Sequence, residues 1–104
     1  MNIKISIITG TRAEYGLLKN LMLKVNNSKK FTLQTIVTGM HLIKEFGNTY
    51  KTIEKDGFKK IKKININLKG DMPNDICKAI SKGFVGFSDL YKKNTPDVIL
   101  LLGD

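Results

Sequence analysis

A chain of 104 residues has room for one domain that buries about 65% of its unfolded surface. Hydrophobic residues at 41% and charged residues at 26% exclude a disordered chain, and no apolar run is long enough to cross a bilayer. The net charge of +9 comes from 17 Lys and one Arg against 9 acids, a balance that reflects heavy use of Lys more than a reader of nucleic acid, which favours Arg.

Residues 3 to 9, IKISIIT, alternate and then run apolar, which predicts a first strand. Thr11 and Glu14 follow with the spacing of a capping box. From there Leu17, Leu18, Leu21, Met22 and Val25 recur at helical intervals until NNSKK ends the helix. Residues 31 to 38, FTLQTIVT, form a second strand closing at Gly39. A short helix is expected over residues 49 to 55, stopped by Gly57. FKKIKKININL (58 to 68) reads as a third, half-exposed strand carrying Phe58, Ile61, Ile64, Ile66 and Leu68, with KKIKK on its solvated face.

Pro73 suits the first turn of a further helix, for which Ile76, Ile80, Phe84, Phe87 and Tyr91 supply one apolar face. Gly83 and Gly86 within it each cost about 1 kcal/mol relative to Ala, so close packing is expected to offset them. Cys77 reads as a small core residue, and Asn94 and Pro96 end the helix. Residues 98 to 102, VILLL, give a fourth strand.

Strand and helix alternate as in a doubly wound parallel sheet of the α/β class. Five consecutive apolar residues suit an interior strand buried on both faces. The usual order 3-2-1-4 would nevertheless leave VILLL at an edge, which complete proteins avoid. More strands are therefore expected after Asp104.

Three predicted strands end alike, in ITG, VTG and LGD. In a parallel sheet these ends share one edge, where ligands bind, and Thr11, Arg12, His41 and Asp104 would converge there. GTRAEYG is neither a dinucleotide fingerprint nor a Walker A loop. Arg12 stands at the positive end of a helix, a place that favours anions. Either it points into water from a well-capped helix, or it grips a phosphate beside the helix N-terminus. His41 alone reads as a loop or capping residue as readily as a catalytic one. Asp104 is a carboxylate at a strand's end, suited to acid–base work, and Asp71 is the other acid near that edge. With one Cys and one His, neither a cysteine zinc site nor a Cys–His pair can be built.

ITGTRAEYGLL, VTGMHLIKEFGNTYKTIEKDGF and PDVILLLGD, in this order and spacing, resemble the hydrolysing UDP-N-acetylglucosamine 2-epimerases of sialic and legionaminic acid synthesis. The resemblance implies a Rossmann-like sheet, the first part of the N-terminal domain of a glycosyltransferase-B-type fold. Residues 1–104 would then be a partial domain, with the rest of it and a C-terminal domain missing. It also implies hydrolysis of UDP-N-acetylglucosamine to N-acetylmannosamine and UDP, without a cofactor or metal.

Carried over by motif, Arg12 contacts UDP with Gly10 and Gly16 lining the same loop, while Asp104 and His41 are the catalytic candidates. The animal enzyme has Ser where Gly16 stands, so that side-chain contact is lost. GTRAE and TGMH in place of GTRPE and TGQH favour the hydrolysing over the non-hydrolysing branch. A sister substrate, a UDP-diacetamido-trideoxy sugar of the legionaminic acid pathway, uses the same motifs. The 104 residues by themselves are expected to be inactive.

The expected partner is a UDP-sugar, with neither nucleic acid nor membrane. The location is expected to be cytoplasmic, since MNIKISIITG lacks a secretory pattern, and a homo-oligomeric full-length protein is a further expectation. A non-catalytic basic module that binds polyanions is the alternative from another class. Aromatics interleaved on an exposed face would support it, but Phe84 and Phe87 belong to a helix stripe.

Overall fold

A computed structural model describes residues 2–39, 49–66, 70 and 72–103. In chain order these form β1 (Ile3–Thr9), α1 (Arg12–Asn27), β2 (Phe31–Val37), α2 (Tyr50–Lys55), β3 (Lys62–Lys63), α3 (Pro73–Lys93) and β4 (Val98–Leu101). The strands make one sheet in the order β3-β2-β1-β4, every neighbouring pair parallel. This is the doubly wound α/β arrangement that the alternation of elements predicts.

One face of the sheet carries Ile5 and Ile7 of β1, Leu33 and Val37 of β2 and Leu100 of β4. Against them lie Tyr15, Leu18 and Met22 of α1, Ile53 of α2 and Phe58. Leu18 and Met22 are spaced i, i+4, so both point inward from α1. Burying such side chains contributes about 1.5–3 kcal/mol each.

The opposite face is covered by α3. The hydroxyls of Ser6 and Tyr91 lie 2.9 Å apart, and Gln34 Nε2 donates to the Asn94 carbonyl at 3.4 Å. A Cβ on Gly86 would stand 2.8 Å from Ile64 Cγ2. The glycine that weakens the helix therefore lets it approach the sheet, as expected.

Three expectations need correction. The third strand is confined to Lys62–Lys63, although the Ile64 N–H still donates to the Val37 carbonyl at 2.9 Å. Its apolar residues Phe58, Ile61 and Ile64 recur every third position, a spacing no strand can place on one face. Lys60 also breaks the run with a φ of 58°. Leu68 lies outside the described residues.

The stripe on α3 is not its buried face. Ala79 and Gly83 are buried, whereas Ile76 and Ile80 are exposed and Phe84 is 74% exposed. The small residues allow the closest approach to Ile64 and Ile66, which turns the larger side chains onto a flank. Tyr91, bonded to β1, places that flank on the β4 side. Cys77 is exposed, not a core residue, because it falls outside the Ala79–Gly83 line.

VILLL lies where the expected order 3-2-1-4 puts it: β4 forms the sheet edge, and Val98, Ile99, Leu101 and Leu102 are exposed. An interior-type strand thus occupies an edge.

Candidate functional site

The site is assembled where β1, β2 and β4 end. β1 passes through Gly10 and Thr11 into α1, and the Thr38 N–H donates to the Thr9 carbonyl at 3.1 Å. Gly39 has a φ of 61°, and a Cβ there would lie 2.9 Å from the Gly10 carbonyl oxygen. Only glycine combines that backbone with that contact. Ile8 pairs with Leu101, and continuing this register two residues sets Gly103 level with Gly10. The three strand ends therefore do share one edge, with the N-terminus of α1 rising from it.

The capping box is formed as its spacing predicts. Thr11 Oγ1 accepts from the Glu14 N–H at 3.1 Å. Glu14 Oε1 accepts from Gly10 at 2.8 Å and from Thr11 at 3.1 Å. A carboxylate therefore already takes two of the amide donors that a phosphate cradle would use. Among the described residues, the N–H groups of Arg12 and Ala13 are engaged neither by this box nor by the turn that Tyr15 closes onto Thr11. Arg12 is the first residue of α1 and its side chain is exposed. Gly16 lies one turn on, also exposed, and a Cβ there would meet nothing within 4 Å. Among the described residues, no packing requires glycine at that position. His41, Asp71 and Asp104 lie outside the described residues.

Two features escape sequence reasoning. Thr38 Oγ1 is buried beside Gly10 and has no hydrogen-bond partner among the described residues; the Thr preceding Gly39 in VTG is its one signal. The second is a link between helices. The Tyr15 hydroxyl donates to Asp56 Oδ2, which also pairs with Lys19 Nζ at 3.3 Å. Burial, then the bond to Asp56 and its charge, push the Tyr15 hydroxyl far up; the donated bond, aided by Lys19, holds the Asp56 carboxyl below its usual range despite burial. With Phe58 set edge-on to Tyr15 at 6.3 Å, this ties α2 to the first turn of α1. The partners are 41 residues apart, and no periodicity announces them.

Clefts of about 430 and 440 Å³ open beside Lys59 and Lys60, and neither is lined by the Gly10 loop. No group of three potential metal ligands occurs among the described residues, and no described helix is long and apolar enough to cross a membrane.

The family model described as UDP-N-acetylglucosamine 2-epimerase matches residues 23–104. Over 101 residues the chain is 48% identical to a GDP/UDP-N,N'-diacetylbacillosamine 2-epimerase (hydrolyzing) of Campylobacter jejuni, covering 97% of this chain and 26% of that protein. It is 40% identical over the same length to a UDP-N,N'-diacetylbacillosamine 2-epimerase (hydrolyzing) of Legionella pneumophila, covering 97% and 27%. The solved UDP-GlcNAc 2-epimerase of Neisseria meningitidis bound to UDP-GlcNAc superposes with a TM-score of 0.74 at 20% identity, covering 98% of this chain and 26% of that one. The chain thus spans about a quarter of the length of the proteins it matches. The sheet order, the edge where three strand ends meet and the match over residues 23–104 together place this chain in the UDP-N-acetylglucosamine 2-epimerase family.

Proposed function

We propose that this chain is the nucleotide-facing first part of a hydrolysing UDP-sugar 2-epimerase acting in the cytoplasm, completed by further strands beyond β4 and a second domain. The observation that carries the reading is the contact of the Gly10 and Gly39 turns, beside the N-terminus of α1 at the edge where the strands end. Arg12, with the amides of Arg12 and Ala13, would hold the diphosphate by charge-assisted bonds. Gly10 and Gly16 would let it approach: glycine at position 16 costs about 1 kcal/mol in a helix and answers no crowding among the described residues. Asp104 would move protons at the sugar, with His41 beside it. In this reaction, loss of the C2 proton and departure of UDP from C1 give a glycal-type intermediate. Water then returns a hydroxyl to C1 and a proton to the opposite face of C2.

Two sugars fit. UDP-N-acetylglucosamine is favoured by the bound ligand of the N. meningitidis neighbour. A UDP-diacetamido-trideoxy sugar is favoured by relatives at 48% and 40% identity named for diacetylbacillosamine. Incubating the full-length polypeptide with each UDP-sugar tests the reading: UDP and the free 2-epimeric sugar are expected from one of them. Release of neither from both would overturn it.

A further inference from the structure

Asp56 closes α2 as its C-cap and holds α1 at two points. It accepts from the Tyr15 hydroxyl and pairs with Lys19 Nζ at 3.3 Å. Tyr15 and Lys19 are spaced i, i+4, and Arg12 and Tyr15 i, i+3, so all three share one face of the helix. One carboxylate thus grips the side of α1 on which Arg12 stands.

α1 is seated on the sheet without this link. Leu18 and Met22 are buried in the core, with Ile53 and Phe58 packed in the same cluster. Apolar burial is non-directional, so it presses α1 onto the sheet but fixes its rotation only loosely. A hydrogen bond and an ion pair to a single carboxylate are directional and fix that rotation.

The Tyr15 ring is itself only 6% exposed and lies edge-on to Phe58. A phenylalanine would fill the same space, so what the hydroxyl adds is the bond to α2. The first turn transmits that bond. Its capping box joins Thr11 to Glu14, and the Tyr15 N–H closes onto the Thr11 carbonyl at 3.0 Å. Whatever holds Tyr15 therefore holds Arg12 with it.

We infer that Tyr15 and Asp56 are positioning residues for the proposed diphosphate contact of Arg12, the link from the end of α2 setting the rotation of α1. The inference rests on the proposed nucleotide edge and adds to it two residues that act through Arg12. A group displaced by about 1 Å can lose roughly 100-fold in effect, so a first turn released from α2 loses function well before the helix melts.

The test is calorimetric titration of the full-length polypeptide with UDP, which reads affinity and the competent fraction separately. Tyr15→Phe should weaken UDP about three- to tenfold with unchanged stoichiometry. Tyr91→Phe is the matched control: it removes a hydroxyl lying 2.9 Å from that of Ser6 on the opposite face of the sheet, and UDP affinity should stay parental. Asp56→Ala should match Tyr15→Phe, whereas Asp56→Asn keeps an oxygen for the hydroxyl and should restore most of the affinity. In an Arg12→Ala background, Tyr15→Phe should have no further effect on UDP while still lowering the unfolding midpoint.

Parental affinity in Tyr15→Phe, equal losses in Tyr15→Phe and Tyr91→Phe, equal losses in Asp56→Ala and Asp56→Asn, or a Tyr15→Phe loss undiminished by Arg12→Ala would each overturn the positioning role and leave the proposed nucleotide edge standing. A parent polypeptide that binds no UDP would overturn that edge itself, and this inference with it.

Discussion

The carbonyl oxygen of Gly10 lies 2.9 Å from where a Cβ on Gly39 would stand, so the turns closing β1 and β2 rest on each other. A methyl group at position 39 meets backbone, which cannot swing aside as a side chain would, and the φ of 61° strains any L-residue. Gly39→Ala should therefore destabilise the chain by about 2 kcal/mol or more, combining about 1–2 for the left-handed backbone with the displaced turn. Gly57→Ala is the control: its φ is 102°, but a Cβ there meets nothing within 4 Å, so its loss should be smaller. Chemical denaturation of both variants measures the difference, and equal losses would mean that the turn–turn contact carries no cost.

The Tyr15–Asp56 bond predicts a pH window. The folded Asp56 carboxyl is held low, so its contribution is present above the unfolded carboxylate range, near ~4, and is lost as pH falls through the lower folded value. The folded Tyr15 hydroxyl is raised, so its contribution is present below ~10 and is lost as pH climbs beyond that. Tyr15→Phe should cost about 1–2 kcal/mol between these limits, at the low end for a bond to a charged group because Asp56 is partly solvated. The difference from the parent chain should shrink at both extremes. Denaturation midpoints from pH 3 to 11 check this, and a difference independent of pH would assign the loss to packing alone.

At the proposed nucleotide edge, Arg12→Ala in the full-length polypeptide should weaken UDP about 10- to 100-fold, since a bond to a charged group contributes about 1.5–3 kcal/mol. Glu14→Gln should act in the opposite direction. The amide keeps an oxygen for the Gly10 and Thr11 N–H groups but removes a negative charge from beside the diphosphate. Calorimetric titration with UDP reads both signs, and tighter binding in Arg12→Ala would remove Arg12 from the site.

How far the sequence discloses this molecule depends on whether a feature is local. The capping box is written in four consecutive residues, and the strands β1 and β2 in their own alternation, so each is legible. The convergence of strand ends follows from parallel topology and is legible at one remove. The Tyr15–Asp56 link and the buried Thr38 hydroxyl join residues far apart or depend on which way a side chain turns. The α3 stripe misleads for a physical reason: hydropathy marks Ile80 and Phe84 as inward, but Gly83 and Gly86 decide the contact because nothing larger fits against Ile64 and Ile66.

β4 supplies the last prediction. Ile99 shares the register of Ser6, and Leu101 that of Ile8. Both lie on the α3 face, where the flank of α3 bearing Ile80 and Phe84 is bare. Ile99 and Leu101 are 48% and 59% exposed, beside an unpaired strand edge that invites association. The 104-residue chain should self-associate, and Ile99→Lys/Leu101→Lys should suppress this with little loss of stability, because the charges enter water. In the full-length polypeptide the sign should reverse. If a further strand and its crossover helix cover this surface, as right-handed crossover requires on the α3 side, the same pair buries two lysines and should be severely destabilising. Sedimentation of the short chain and thermal unfolding of the long one read the two arms. A double variant tolerated in both would mean that no later segment lies on β4.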